Sequence, residues 1–176
     1  MYLPGTMPPT ILGLDVGGAN LKAATADRRA VSVPFALWKQ PDRLPAALGE
    51  LVGRFPDADE LAVTMTGELC DCFETKRDGV NAILTAVLNV SRSRRVRVWT
   101  TDGAFVDTEE ARRNHLKVAS ANWHALAMFA GRFGTSKSKL RVFRLLNSRR
   151  TCGGRPATLS AGQSGTSTMG GAQAGR

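Results

Sequence analysis

The chain has 176 residues, of which 43% are apolar and 22% charged, a balance that excludes a wholly disordered polypeptide and suits one domain-sized core. No apolar run approaches the roughly 20 residues that cross a bilayer, and the opening Met-Tyr-Leu-Pro-Gly-Thr-Met-Pro-Pro-Thr carries neither a charged nor an apolar leader. Three cysteines without an export signal fit reduced thiols and a cytoplasmic protein. The net charge of +9 is unevenly placed: residues 1–110 hold all 15 acids and sum to −3, whereas residues 111–176 hold no acid and sum to +12. The basic character therefore belongs to the last third of the chain.

In chain order, Thr10 to Asp15 is a short apolar run ending in Val16-Gly17-Gly18, a strand entering a tight turn. Leu21 to Ala26 reads as the returning strand and Ala30 to Trp38 as a third. Leu44, Leu48, Leu51, Val52 and Phe55 then recur at helical spacing, and Pro45, tolerated only in a first turn, puts that helix start close to Asp42. Glu60 to Thr66 is a fourth strand. Val80, Ile83, Leu84, Val87 and Leu88 line a second helix. Val96, Val98 and Thr100 alternate with Arg97 and Trp99 in a fifth strand before the Asp102-Gly103 turn. Thr108-Glu109-Glu110 places acids at a helix start, and Leu116, Ala119, Trp123, Leu126, Ala127 and Ala130 carry that single helix to about Arg132.

This order, three strands followed by alternating helices and strands, requires an α/β sheet with parallel crossovers. Beyond Gly134 the character changes. Leu140 to Leu146 suits a strand, but from Asn147 the chain is rich in Ser, Gly, Thr and Ala, without acid or apolar periodicity, and is expected to be disordered. The expected organisation is a flexible terminus over 1–9, a folded unit over 10–138 and a basic low-complexity tail over 139–176.

Leu14-Asp15-Val16-Gly17-Gly18-Ala19-Asn20-Leu21-Lys22 is the most informative segment. A strand delivers a carboxylate to its end, and two glycines let the backbone approach a ligand closely. Consecutive turn amides can hold a phosphate while Asp15 holds hydrated Mg²⁺, with Asn20 and Lys22 in reach. A plain hairpin with a solvated Asp15 fits the bare pattern equally well. The second constellation is Met65-Thr66-Gly67-Glu68-Leu69-Cys70-Asp71-Cys72-Phe73-Glu74-Thr75-Lys76, at the strand end where open α/β sheets take ligands. Glu68 and Asp71 suit metal binding or proton transfer and Lys76 suits a phosphate; a solvated helix start is the plainer alternative. Cys70 and Cys72 lack the partners that would complete a zinc set. In the third, Ala121-Asn122-Trp123-His124, Asn122 is placed to face a cleft, Trp123 falls on the core stripe and His124 on the solvent side. His115 and His124 offer no triad.

Three segments together resemble one family: 13–24, 65–80 with its Thr-Gly-Glu-Leu-Cys-Asp-Cys-Phe, and Ala121-Asn122-Trp123. They are similar to hydantoinase/oxoprolinase-like proteins linked to tetrahydromethanopterin C1-transfer pathways, with methanofuran-synthase-like archaeal members. The resemblance covers about residues 10–133. It implies the N-terminal half of an actin-like ATPase, a ribonuclease H-like fold. It puts Asp15, Gly17, Gly18, Asn20 and Lys22 at a first phosphate loop with Mg²⁺ and ATP or another phosphorylated ligand, and Glu68, Asp71 and Lys76 at the family's second signature.

Members of this type carry a second phosphate loop resembling Asp-Ile-Gly-Ser-Thr soon after the helix ending near Arg132. This chain has Lys139-Leu140-Arg141-Val142-Phe143-Arg144-Leu145-Leu146 there, and no acid follows Glu110. The charge step points to a shifted reading frame or divergent end from about residue 139. The expected function is an ATP- or phosphate-dependent transferase or synthase with impaired catalysis, as phosphoryl chemistry needs charge stabilisation from all sides. The alternatives are an α/β module whose tail binds nucleic acid non-specifically, and a hydantoin- or oxoproline-cleaving hydrolase. The expected partner is a small phosphorylated substrate, without a membrane, and uncovered apolar faces favour self-association.

Overall fold

A computed structural model describes residues 8–132; the expected 140–146 strand and the 139–176 tail lie outside the described residues. Six strands, β1 (Ile11–Val16), β2 (Asn20–Thr25), β3 (Ala30–Pro34), β4 (Glu60–Met65), β5 (Arg95–Trp99) and β6 (Phe105–Val106), form one sheet in the order β3-β2-β1-β4-β5-β6. The first three strands make an antiparallel meander, β1 runs parallel to β4 and β4 to β5, and β6 returns antiparallel on the edge. Five α-helices, α1 (Leu44–Gly53), α2 (Lys76–Ser91), α3 (Thr108–Arg113), α4 (His115–Val118) and α5 (Asn122–Ala130), and three single-turn 3-10 helices over Leu37–Lys39, Pro41–Arg43 and Gly67–Leu69 complete the described unit. None is long and apolar enough to cross a membrane.

Side chains alternate across a pleated strand, so each strand divides its residues between two faces. One face collects Leu12, Leu14, Val16, Leu21, Ala23, Leu61, Val63, Met65 and Val98, all buried in one core with Leu48 and Leu51 of α1 and Ile83 and Leu84 of α2. Burying each large aliphatic side chain contributes roughly 1.5–3 kcal/mol. The opposite face carries Gly13, Asp15, Lys22, Ala24, Ala62 and Thr64, and none of these is buried.

Local chemistry sets the helix ends. Thr75 caps α2: its hydroxyl accepts the Asp78 N–H at 3.2 Å, while the Asp78 carboxylate accepts the Thr75 N–H at 3.1 Å. Asp107 caps α3 by accepting the Glu110 N–H at 2.7 Å.

Two expected elements differ. The third strand stops at Pro34 instead of reaching Trp38, because the chain turns under the first hairpin: Phe35 N–H donates to the Ala19 carbonyl and Leu37 N–H to the Gly18 carbonyl, each at 2.9 Å. The single helix expected from Thr108 to Arg132 is three helices, broken at Asn114 and at Ala119–Ala121, where Ser120 adopts a φ of +54°. The apolar stripe is divided accordingly. Ala119 and Ala121 are buried, whereas Leu116 and Leu126 are exposed. The β6 edge strand has no counterpart in the periodicity.

The core face tolerates no side chain at Gly79. A Cβ there would lie 2.7 Å from both the Cα and the carbonyl oxygen of Glu68, both backbone atoms that cannot swing aside. At Gly49 the nearest atom to an added Cβ is Val90 Cγ1 at 3.7 Å, an ordinary contact. Urea unfolding should therefore find Gly79→Ala destabilised by about 1–3 kcal/mol. Gly49→Ala, in the interior of α1, should be neutral or stabilised by up to about 1 kcal/mol.

Candidate functional site

The sheet register brings the site together. Asp15 lies directly opposite Lys22 on β2 and Thr64 on β4, and Lys22 lies opposite Ser32 on β3, so four polar residues form one row across four strands. Two residues back along β1, Gly13 pairs with Ala24 and Ala62, a row of small side chains on the same face. With the core face filled and this face stripped to Gly and Ala, the sheet forms the floor of a groove of about 680 Å³. Trp99, Phe105, Met128 and Phe129 contribute its apolar walls, and Asp15, Lys22 and Thr64 its polar end.

Asp15 is the hub of that end. Its Oδ2 accepts the Lys22 ammonium at 2.8 Å and its Oδ1 accepts Asn122 Nδ2 at 3.2 Å; the Thr64 hydroxyl lies 3.5 Å from the same Oδ1 and 3.3 Å from the Leu14 carbonyl, its closer acceptor. Asn122, the first residue of α5, also reaches the Thr66 hydroxyl at 3.5 Å. The Asp15 side chain is 23% exposed and that of Lys22 52%. The carboxylate is thus the more enclosed partner of the pair, and the ammonium stands half in solvent.

Of the residues singled out in the sequence, Asp15, Lys22 and Asn122 are brought into direct contact. Gly17 and Gly18 are buried in the hairpin turn and Asn20 is half-buried at the start of β2. Gly17 contributes closeness, not an outward amide: its N–H donates to the Asn20 carbonyl at 3.1 Å, and a Cβ would lie 2.9 Å from that same oxygen. Asp71 and Lys76 are exposed and neither lines the groove. Trp123 is half-buried. His124, expected in solvent, is half-buried too; its Nδ1 accepts the Trp99 indole N–H at 3.3 Å beside the groove. Thr64 and Thr66 were not anticipated, although Thr64 alternates with buried Val63 and Met65 and so had to share a face with Asp15.

Glu68 occupies a different setting from a solvated helix start. It is 2% exposed, in a single-turn helix over Gly67–Leu69. Its Oε1 accepts both the N–H and the hydroxyl of Ser120, at 2.7 and 3.1 Å, while its Oε2 is buried without a hydrogen-bond partner among the described residues. Burial pushes this carboxyl above its ordinary value of 4.5, against the opposing pull of its own backbone amide, Ser120 and the Lys76 charge. Cys72 donates to the Leu37 carbonyl at 3.8 Å, and burial pushes its thiol up, away from thiolate chemistry.

A metal cage is not what these residues build: among the described residues no three His, Cys, Asp or Glu side chains cluster. A single carboxylate at the edge of a groove fits Mg²⁺ that arrives already bound to phosphate, since Mg²⁺ keeps most of its waters and takes one or two carboxylates.

Because the folded-state value of Glu68 is raised, the neutral carboxyl is the form the fold favours. That advantage is complete below about 4.5 and is lost as pH rises through the raised value. Glu68→Gln should therefore gain on the natural protein in melting temperature as pH is raised from about 4 to about 8. A gap that stays constant across that range would contradict the buried-carboxyl assignment.

Residues 59–143 match the hydantoinase/oxoprolinase family. Over 127 residues the chain is 36% identical to (4-{4-[2-(gamma-L-glutamylamino)ethyl]phenoxymethyl}furan-2-yl)methanamine synthase of Methanocaldococcus jannaschii. That alignment covers 70% of this chain and 37% of the relative. The chain thus spans little more than a third of the curated relative it matches.

Proposed function

Because the chain is a hydantoinase/oxoprolinase-like protein, we propose that residues 10–132 form one wall of an ATPase-type site in an enzyme of C1-cofactor metabolism. Its ligand is Mg²⁺ with ATP or another phosphorylated substrate. The observation that carries this reading is the Lys22–Asp15–Thr64 row, with Asn122 closing on Asp15 from α5. The sheet order β3-β2-β1-β4-β5, with β2 antiparallel to its neighbours, supports the ribonuclease H-like assignment that an actin-like ATPase half requires. The relative, named as a synthase of a glutamylated phenoxymethylfuran amine, supports the pathway.

In this reading each side chain has a separate task. Asp15 would hold the metal, which would supply charge neutralisation to the phosphate when bound. Lys22 exchanges its ion pair with Asp15 for a phosphate oxygen, a point-charge contact suited to a flexible stem. Asn122 donates to Asp15 and, with Thr64 beside it, keeps its oxygens aimed at the groove. Gly17 and Gly18 let the hairpin turn sit close beneath. Glu68, Asp71 and Lys76, which the resemblance assigns to a second signature, lie outside the groove lining. Their roles are indirect in this reading.

Charge stabilisation in phosphoryl chemistry comes from all sides of the transferred group. Residues 111–176 contain no Asp or Glu, so that stretch offers no Asp-bearing counterpart to the Asp15 turn. The expected behaviour is binding without efficient turnover. Isothermal titration should show Mg²⁺-dependent ATP binding that Asp15→Ala weakens by at least about tenfold and Lys22→Ala by about tenfold, the scale of one charge-assisted contact. Arg54→Ala, on the exposed end of α1, should leave it unchanged. Equal affinity in the Asp15→Ala protein, or ATP binding indifferent to Mg²⁺, would overturn the assignment.

A further inference from the structure

Glu68 presents an unexplained expense. Its carboxyl is 2% exposed, one oxygen has no partner among the described residues, and Gly79 of α2 presses against its backbone so closely that no Cβ fits. A buried acid with an orphan oxygen is a poor source of stability, and an apolar side chain of the same length would fill the space without the desolvation penalty. It does not line the groove, so it does not meet a ligand there. Beyond its own backbone amide, the donors that reach it come from Ser120, the residue at which the chain breaks between α4 and α5 with a φ of +54°. That conformation is uncommon for a residue with a Cβ and persists only where its surroundings impose it.

Two residues beyond Ser120 stands Asn122, the first residue of α5, whose side chain bonds Asp15 and Thr66. Glu68 itself follows Thr66 by two residues, on the single turn that ends β4. The bonds therefore close a loop: β4 leads to Glu68, Glu68 to Ser120, Ser120 to Asn122, and Asn122 back to Asp15 and Thr66. We propose that Glu68 is a positioning residue: by holding the Ser120 amide and hydroxyl it fixes the entry of α5 and keeps Asn122 on Asp15 at the polar end of the groove. The role concerns the same groove as the phosphate-binding reading and deepens it. The link from Glu68 to Asn122 is a geometric statement, however, and is measurable with no ligand present.

The test is a double-mutant cycle with a spectroscopic arm. Glu68→Met keeps length and apolar bulk but offers Ser120 no comparable acceptor; Glu68→Gln keeps an acceptor oxygen. In the ligand-free protein, the Asn122 side-chain amide resonances should move toward solvent-exposed values in Glu68→Met. They should stay in place in Glu68→Gln, and move in the same direction but less in Ser120→Ala. In titrations with Mg·ATP, Glu68→Met should weaken binding by roughly fivefold, and that factor should vanish in an Asn122→Ala background. A structural role alone would give the same factor in both backgrounds. Unmoved Asn122 resonances in folded Glu68→Met or in Ser120→Ala overturn the proposal, as does a fivefold loss that persists without Asn122. If Glu68→Met does not fold, Ser120→Ala decides by the same signal. If the natural protein does not bind Mg·ATP, the phosphate-site reading fails while the resonance shifts still decide the positioning role.

Discussion

The registration of β1 between β2 and β4 governs this molecule. With Leu12, Leu14 and Val16 turned toward α1 and α2, Gly13 and Asp15 must face the other way. A one-residue slip would bury Asp15 in the core and expose the leucines, an exchange that the apolar face forbids. The same constraint fixes Lys22 and Thr64 on either side of Asp15, because each lies in direct register with it. The polar row is thus a by-product of core packing. No loop has to close to assemble it.

The two faces of the sheet serve different ends. The core face is filled with Leu, Val and Met and gives the unit its stability. The groove face is furnished with Gly13, Ala24 and Ala62, which bury little and leave room above them. Along α5, Met128 and Phe129 stand exposed at the rim of that room and Arg132 follows them. Stability and ligand access are separated by a single pleat. This is why a carboxylate and an ammonium can sit on strands that are otherwise hydrophobic without disturbing the core.

Much of this was legible in the sequence. The strand–glycine–glycine–strand pattern predicts the first hairpin, the i, i+3, i+4 stripes predict α1 and α2, and the motifs mark Asp15, Lys22 and Asn122, which the fold brings into contact. What periodicity did not reveal has physical causes. At the break, Ser120 bonds to Glu68, 52 residues earlier, and local propensity carries no trace of a partner so distant. Thr64 and Thr66 were passed over because threonine in a strand is unremarkable until its register is known. For Glu68, a candidate for metal binding or proton transfer, the plainer alternative is a solvated helix start; only the fold reveals that it is enclosed. The third strand ended early because two hairpin carbonyls, those of Gly18 and Ala19, draw the following chain beneath the turn.

The phosphate-site proposal has the Asp15 row receive a metal-bound phosphate. Its most direct test replaces Mg²⁺ with paramagnetic Mn²⁺ and follows backbone amide relaxation on adding ATP. Steep broadening is expected at Asp15, Lys22 and Thr64, together with the Asn122 side-chain amide, weakening along β1 and β4 toward Ile11 and Glu60. Broadening that spares the row, or that concentrates in the basic sequence after residue 132, would contradict it.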